Sequence, residues 1–118
     1  REATSSPRED TVELEVEVQS VRNTFDAFVT AVKDSDFTSY LKLHSEDVVS
    51  EVNEELFVRN SERARSHQFD FELERIEFDG RFATVSFNVT PGDGAEEHKD
   101  QAEVTLIRDD KRWSLYET

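Results

Sequence analysis

The amino-acid sequence predicts an α+β domain in which N-terminal helices pack in the concave face of a curved, bulged antiparallel sheet of four or more strands. Apolar residues recur at helical spacing in the first half of the 118-residue chain, and they alternate at strand spacing from Phe69 onwards. Helical and strand patterns that are segregated along the chain are typical of α+β folds.

The composition indicates one acidic domain. The chain has 28 Asp and Glu residues against 14 Lys and Arg, a formal net charge of -14. A field of this sign repels phosphate, which argues against nucleic acid and anionic membrane surfaces as partners. Nine Phe residues supply apolar area for a core, and the lack of Cys excludes disulfides and thiolate metal sites. No apolar run approaches the ~20 residues that span a bilayer.

Residues 1–10 are polar and have no periodicity, which predicts a disordered tether ahead of a single domain at residues 11–118. Such a tether suits a secreted or lipid-anchored protein whose leader has been removed, although a trimmed tag would look the same. We therefore expect an extracytoplasmic location.

The first helix is predicted from about residue 12 to residue 33. Its apolar residues recur at steps of four and three, over a longer span than a competing strand-like alternation from Val12 to Val18. The apolar stripe comprises Leu14, Val18, Val21, Phe25, Phe28 and Val32. The polar run 34–36 then breaks this helix and can cap a second, short helix.

Two shorter helices follow in this interpretation. The second places Phe37, Tyr40, Leu41 and His44 on one face. Ser45, followed by two acids, predicts the N-cap of a third helix, which ends in the basic stretch 59–65. Residues 47–50 could instead form a short strand.

The first hairpin carries a sharper prediction. Asp79-Gly80 is a strong two-residue turn. Inward residues lie on odd numbers up to Leu73 and on even numbers from Ile76, so a regular strand would turn one group to the wrong face. One extra residue at Glu74–Arg75 removes the conflict and places Leu73 opposite Val85. The sequence therefore predicts a β-bulge at Glu74–Arg75.

The second hairpin is predicted with a regular register. A turn at Asp109-Asp110 places Leu106 opposite Trp113 and Val104 opposite Leu115. A loop from Pro91 to about residue 99 joins the two hairpins.

These elements resemble the nuclear-transport-factor-2-like (cystatin-like cone) superfamily. The resemblance covers about residues 12–118 and rests on the element order and on the second helix, Asp36-Phe37-Thr38-Ser39-Tyr40-Leu41-Lys42-Leu43-His44. Within that superfamily the chain is most similar to small bacterial extracytoplasmic domains, including actinobacterial secreted antigens and lumazine-binding-like lipoprotein domains. The resemblance implies a conical fold, in some members with a pocket. Some members are isomerases or dehydratases, and others are binding modules.

The inward-facing residues of the sheet help to decide between an enzyme and a binding module. An enzyme of this fold needs an Asp, Glu or His on the inner face of the sheet, but the inner face predicted from Phe69 to Leu115 is apolar throughout. This pattern argues against an enzyme. Tyr40, His44 and Asp47 could still approach the mouth of the cone as an acid–base site. The alternative is a surface histidine and a capping acid.

The sequence also suggests three more residues that could line a pocket and one surface that could form an interface. His67, Arg75 and Trp113 join Tyr40 and His44 as candidates to line a pocket. The interpretation favoured for Arg75 is a surface ion pair with Glu72 or Glu74. The acidic loop 93–100 lacks the ligand spacing of a calcium loop, so we expect no metal site and no cofactor. On the outer face of the sheet, an apolar patch predicts a contact surface. It consists of Phe82, Ile107 and Tyr116.

Two hypotheses about function follow. The first is a non-enzymatic extracytoplasmic module that binds a protein partner, a second copy of itself or a small apolar ligand. The second is a small-molecule lyase or isomerase that uses a His/Asp pair, His44 and Asp47, at the mouth of the cone.

Overall fold

Three α-helices and one short 3-10 turn precede a four-stranded antiparallel sheet, which confirms the α+β class. The computed structural model describes residues 7–92, 100–109 and 112–117, with side chains from residue 15 onwards. The helical elements are α1 (Pro7–Asp34), α2 (Phe37–Lys42), the 3-10 turn (Val49–Glu51) and α3 (Glu54–Ser66). The strands are β1 (Asp70–Asp79), β2 (Phe82–Thr90), β3 (Asp100–Asp109) and β4 (Arg112–Glu117), and they pair in chain order.

The long first helix starts earlier than the sequence indicated. Helix α1 begins at Pro7, so residues 7–10, which the sequence assigned to the tether, are helical, whereas residues 1–6 lie outside the described residues. Proline suits a first helical position because the missing N–H would have no intrahelical partner there. The predicted stripe is buried from Val21 to Val32. None of the described helices has the length and apolar character needed to cross a membrane.

The second helix is capped as predicted. The Asp36 side chain accepts hydrogen bonds from the Ser39 backbone N–H (3.2 Å) and from Ser39 Oγ (2.7 Å). Beyond this helix, residues 43–45 run along the outer edge of β4. The Leu115 N–H donates to Leu43 O (2.7 Å), and the Ser45 N–H donates to Leu115 O (2.9 Å). We call this contact the edge bridge, and His44 is its central residue.

The prediction that Ser45 caps the third helix is wrong. Helix α3 begins at Glu54, and Asn53 is its cap, because its side-chain oxygen accepts from the Leu56 N–H at 3.0 Å. The backbone of Ser45 is held by the edge bridge, and the chain after it forms the 3-10 turn. The alternative strand at residues 47–50 does not form either. The basic C-terminal end of α3 is confirmed, with Arg63 in the last turn.

The β-bulge is confirmed, but the register of the first hairpin differs from the prediction by two residues. The pairing shifts between Leu73 and Arg75, and Leu73 faces Phe87 rather than Val85. The turn lies one residue later than expected, because Asp79 pairs with Phe82. A displacement of two residues keeps every side chain on its predicted face, since alternate residues point to the same side.

The second hairpin is also displaced by two residues. Leu106 faces Leu115 and Arg108 faces Trp113, so the predicted pairing of Leu106 with Trp113 is wrong. The turn itself, at residues 110–111, lies outside the described residues. A second irregularity, which the sequence did not predict, leaves Tyr116 without a cross-strand partner.

The core lies between the inner face of the sheet and helices α1 and α3. The rings of Phe25 and Phe87 pack with their centroids 5.1 Å apart. Thr24 Oγ1 donates a hydrogen bond to the backbone oxygen of Trp113 at 2.9 Å. Trp113, only 3% exposed, packs edge-on against Phe78 and closes one end of the cone. At the other end the helices and the sheet separate.

Candidate functional site

The open end of the cone contains a cavity of about 710 Å³, a size typical of ligand pockets. It lies where β1 and β3 begin and where β2 and β4 end. Its boundary is formed by Phe28, Val32, Tyr40, His44, Val48, Glu51, Val52, Asn53, Leu56, Phe57, Asn60, Arg63, Ala64, Phe69, Phe71, Phe87, Val89, Asp100, Ala102, Tyr116 and Glu117.

The interior of the cavity is apolar and largely aromatic. The sheet supplies the floor, which consists of Phe69, Phe71, Phe87, Val89 and Ala102. The bulge in β1 keeps the first two of these on the same face as the inward residues later in that strand. Helices supply the roof, where the rings of Tyr40 and Phe57 lie 4.4 Å apart. An apolar molecule would therefore be surrounded by ring faces and edges.

One wall of the mouth exposes apolar side chains to solvent. Val48, Val52 and Leu56 line it, and Leu56 is 49% exposed. This wall comes from the 3-10 turn and the start of α3, the segment that the sequence placed in a continuous helix. An apolar ligand in the cavity would shield such side chains from water.

The polar groups of the cavity include three carboxylates, two amides and one guanidinium. Glu51, Asp100 and Glu117 come from three different elements, and Arg63 lies over the Phe69 ring, 5.8 Å from its centroid. Sequence reasoning missed all four. Asp100 could have been found, because it shares its parity with the inward-facing Ala102 of β3.

Tyr40 and His44, predicted as pocket residues, do line the cavity together. Their rings meet edge to face, with centroids 4.6 Å apart. His44 Nδ1 lies 2.8 Å from Tyr40 O, and because a carbonyl oxygen only accepts, Nδ1 donates and the neutral ring keeps Nε2 as an acceptor. Burial lowers the pKa of His44 below its ordinary value of 6.5, against the opposing effect of this hydrogen bond.

Asp47, the other member of the predicted acid–base pair, lies apart from this arrangement. Its side chain is exposed, its backbone N–H donates to Ser45 Oγ at 3.3 Å, and it does not line the cavity. In the part of the chain that the structure describes, no hydrogen bond or ion pair joins Asp47 to His44.

The three remaining pocket candidates lie outside the cavity lining. His67 is exposed and stacks on Phe69 with centroids 5.7 Å apart. Arg75 forms an exposed ion pair at 3.5 Å, as the sequence favoured, but its partner is Glu77 rather than Glu72 or Glu74. Trp113 is buried at the closed end of the cone.

In the candidate interface on the outer face of the sheet, two of the three side chains pack against each other and the third is buried. The rings of Phe82 and Tyr116 lie 5.3 Å apart, and Ile107, which pairs with Phe82, is only 5% exposed. Phe82 is the exposed member, at 37%. The accessible area of this patch therefore lies mainly on Phe82 and Tyr116.

The chemistry available at the cavity is limited. Its floor has no titratable side chain between the strand ends, and among the described residues no three His, Asp or Glu side chains gather as a metal site. Most of the acidic loop, residues 93–99, lies outside the described residues.

Comparisons with known proteins bear on the fold. No protein-family model matches the chain, and no curated protein matches it. Among solved structures, the chain is similar to a Mycobacterium tuberculosis protein of unknown function (16% identity, TM-score 0.57, 97% of this chain and 75% of that one). It is also similar to a Streptomyces avermitilis protein assigned as a dehydratase of the NTF2-like family (15% identity, TM-score 0.55, 88% and 98%). A third similar structure is an uncharacterised cystatin-fold protein from Novosphingobium aromaticivorans (16% identity, TM-score 0.51, 80% and 93%).

These similarities extend over most of each chain, but at such low identity they bear on the fold alone. The helices, the bulged sheet and the cavity at its open end agree with them. The chain has the NTF2-like, cystatin-like cone fold.

Proposed function

We propose that this domain is a non-enzymatic binding module that holds a small, largely apolar ligand in the cavity. The observation that carries the proposal is the open, aromatic-lined space of about 710 Å³ with apolar side chains exposed at its mouth. Apolar ligand pockets commonly combine such walls with a few polar groups that orient the ligand.

The composition of the floor supports binding rather than catalysis. An acid–base enzyme of this fold requires a titratable group that projects from the sheet towards the ligand. The strands contribute two titratable groups to the lining, Asp100 and Glu117, but both are exposed at strand ends, and the floor between them consists of three Phe, one Val and one Ala. Because the fold hosts both enzymes and binding modules, this feature of the site carries more weight than the fold.

Native mass spectrometry of the protein purified from its own source, without denaturation, tests the proposal. We expect a small molecule that travels with the folded protein and leaves when the protein unfolds. The substitution Ala102→Phe fills the floor and should abolish this bound mass. Its matched control is Thr84→Phe, which adds the same ring to the outer face of the sheet. A bare wild-type protein, or equal loss of the ligand from both variants, would contradict binding in the cavity.

One observation favours a second candidate function, that of a lyase or isomerase. His44 lines the cavity with Nδ1 fixed by Tyr40 O, so its neutral ring offers Nε2 as a general base. Under this alternative, His44→Gln protein from the same source would retain a different molecule from the wild type, such as the hydrated or isomeric precursor. The same molecule in both proteins would rule out chemistry at His44.

Two expectations from the sequence stay predictions. One is an extracytoplasmic location, and the other is a homodimer or protein partner at the sheet face around Phe82. The exposed Phe82 ring supports the second.

A further inference from the structure

We propose that the ligand of the cavity is a small organic cation, an apolar molecule that carries an amine or quaternary ammonium group. This inference rests on the proposed binding function and specifies the chemical class of the ligand. The charges around the cavity and the aromatic rings that form its walls both favour a cationic ligand.

The charged lining of the cavity is acidic. Among the described residues of the lining, Glu51, Asp100 and Glu117 oppose the guanidinium of Arg63, which leaves these residues a net charge of -2 when His44 is neutral. His44 is mostly neutral at pH 7, since burial lowers its pKa below the ordinary value of 6.5. The carboxylates belong to the 3-10 turn, β3 and β4, so they approach the cavity from separate elements. The whole chain, with a net charge of -14, adds a field of the same sign.

The aromatic walls favour the same class of ligand. The face of an aromatic ring carries negative charge density and attracts a cation within about 6 Å of the centroid. Two rings of the floor already attract cations of the protein in this way, so a ligand cation would use other rings of the lining. Lys33 Nζ lies 5.8 Å from the Phe71 centroid, and Arg63 Cζ lies 5.8 Å from the Phe69 centroid.

An anionic ligand fits the site less well. In the part of the lining that the structure describes, its only Lys or Arg partner is Arg63, which is engaged with the Phe69 ring, and it would lie among three carboxylates. A neutral apolar ligand would fill the interior but leave the acidic groups without a role in recognition. A cation with an apolar body can place its charge near the carboxylates and its body against Phe57 and Phe87.

The test compares three probes that share one apolar body: 4-phenylbutylammonium, 4-phenylbutanol and 4-phenylbutyrate. Isothermal titration calorimetry at pH 7 and low salt gives the three dissociation constants. We expect the ammonium to bind about tenfold more tightly than the alcohol, and the carboxylate to bind most weakly, since each partly exposed charge contributes modestly.

Variants locate the origin of this preference. In the triple variant E51Q/D100N/E117Q, the ammonium should bind no more than about twofold more tightly than the alcohol, because the nearby negative charge is gone. The matched control is D26N/E62Q/E103Q, which removes the same total charge at exposed positions outside the lining. It should keep most of the preference for the ammonium.

Each outcome separates this inference from the proposed function. Comparable binding of all three probes, or tighter binding of the carboxylate, would retain the binding module and overturn the cationic ligand. Equal loss of preference in both triple variants would overturn the role of the three carboxylates. No binding of any probe would count against the cavity as a binding site, and therefore against both proposals.

Discussion

At the scale of single residues, His44 serves both the fold and the cavity. Its neighbours Leu43 and Ser45 form the two backbone hydrogen bonds of the edge bridge, while its ring packs against Tyr40 and lines the cavity. The same short segment therefore attaches the chain after α2 to the sheet and places an imidazole at the cavity.

We predict that stability decreases on acidification through the titration of His44. Burial lowers its pKa in the folded state below the unfolded value of 6.5. Above pH 6.5 both states are neutral, whereas below it the unfolded state binds the proton first and is stabilised. The free energy of unfolding should therefore fall as the pH drops from 6.5 to the folded-state pKa. Urea unfolding at a series of pH values measures this slope.

Two variants test the assignment of that slope. His44→Gln removes the titrating group, so the part of the slope due to His44 should disappear. His67→Gln changes an exposed histidine and should leave the slope in place. A slope that survives in the His44 variant and disappears in the His67 variant would contradict the prediction.

The candidate site shows which of its residues the sequence pattern could predict and which it could not. Parity placed Trp113 on the inner face, and the structure buries it there, but at the closed end of the cone. Alternation defines the face of a strand and not the position along it relative to a cavity, which depends on register. Tyr40 was found because a helical face depends only on local spacing, whereas His44, which the sequence placed on the same face, lies beyond the end of α2 in the edge bridge and lines the cavity from there.

At the scale of elements, the bulge in β1 reconciles two stretches of opposite parity. Glu74 is the extra residue between Leu73 and Arg75. Its side chain accepts hydrogen bonds from Gln101 Nε2 (2.6 Å) and Asn88 Nδ2 (3.3 Å), so the bulged residue is also tied to β2 and β3.

We predict that deletion of Glu74 yields a folded protein. The shortened strand alternates regularly, with Leu73 still opposite Phe87 and every inward residue still inward. The loss should be about 1–2 kcal/mol, because two exposed hydrogen bonds disappear. Deletion of Glu72 is the matched control. It turns either Leu73 or the aromatic residues before it to the outer face, so it should cost at least about 2 kcal/mol more in urea unfolding. Equal losses would contradict this account of the bulge.

A second prediction concerns the connection after β2. The Gly92 N–H donates to His67 O at 3.0 Å, and a Cβ atom at Gly92 would clash with the backbone oxygen of Gln68. Gly92→Asn should therefore lower the free energy of unfolding by about 2 kcal/mol. The control is Gly80→Asn, where the positive φ of 62° suits asparagine and nothing lies within 4 Å of the added Cβ. A smaller loss at Gly92 than at Gly80 would contradict the clash.

Registers were harder to predict than bulges, for a physical reason. A slip of one residue turns every side chain to the opposite face, so the sequence pattern excludes it. A slip of two residues preserves the faces, and only the turn decides between the alternatives. The predicted registers of both hairpins were wrong by two residues for this reason. The cap predicted at Ser45 failed for another reason, because the edge bridge that holds Ser45 is a long-range contact that local sequence does not reveal.

At the scale of the whole molecule, the net charge of -14 opposes folding, because the compact state brings carboxylates closer together. We predict that the melting temperature rises when NaCl is increased to ~1 M, where the screening length falls to about 3 Å. Differential scanning calorimetry measures the change. The variant D26N/E62Q/E103Q, with three fewer negative charges, should show a smaller rise. A melting temperature that is unaffected or lowered by salt would contradict the prediction.

The edge bridge has a consequence for association between molecules. Strands β1 and β4 form the two margins of the sheet, and an unpaired margin can template the addition of a strand from another chain. At β4, residues 43–45 occupy the backbone groups of Leu115, and the Arg112 side chain donates to Lys42 O. At β1, the bulge and its flanking glutamates disfavour a flat, complementary partner. Growth of an intermolecular sheet from the β4 margin would therefore require detachment of the segment that carries His44.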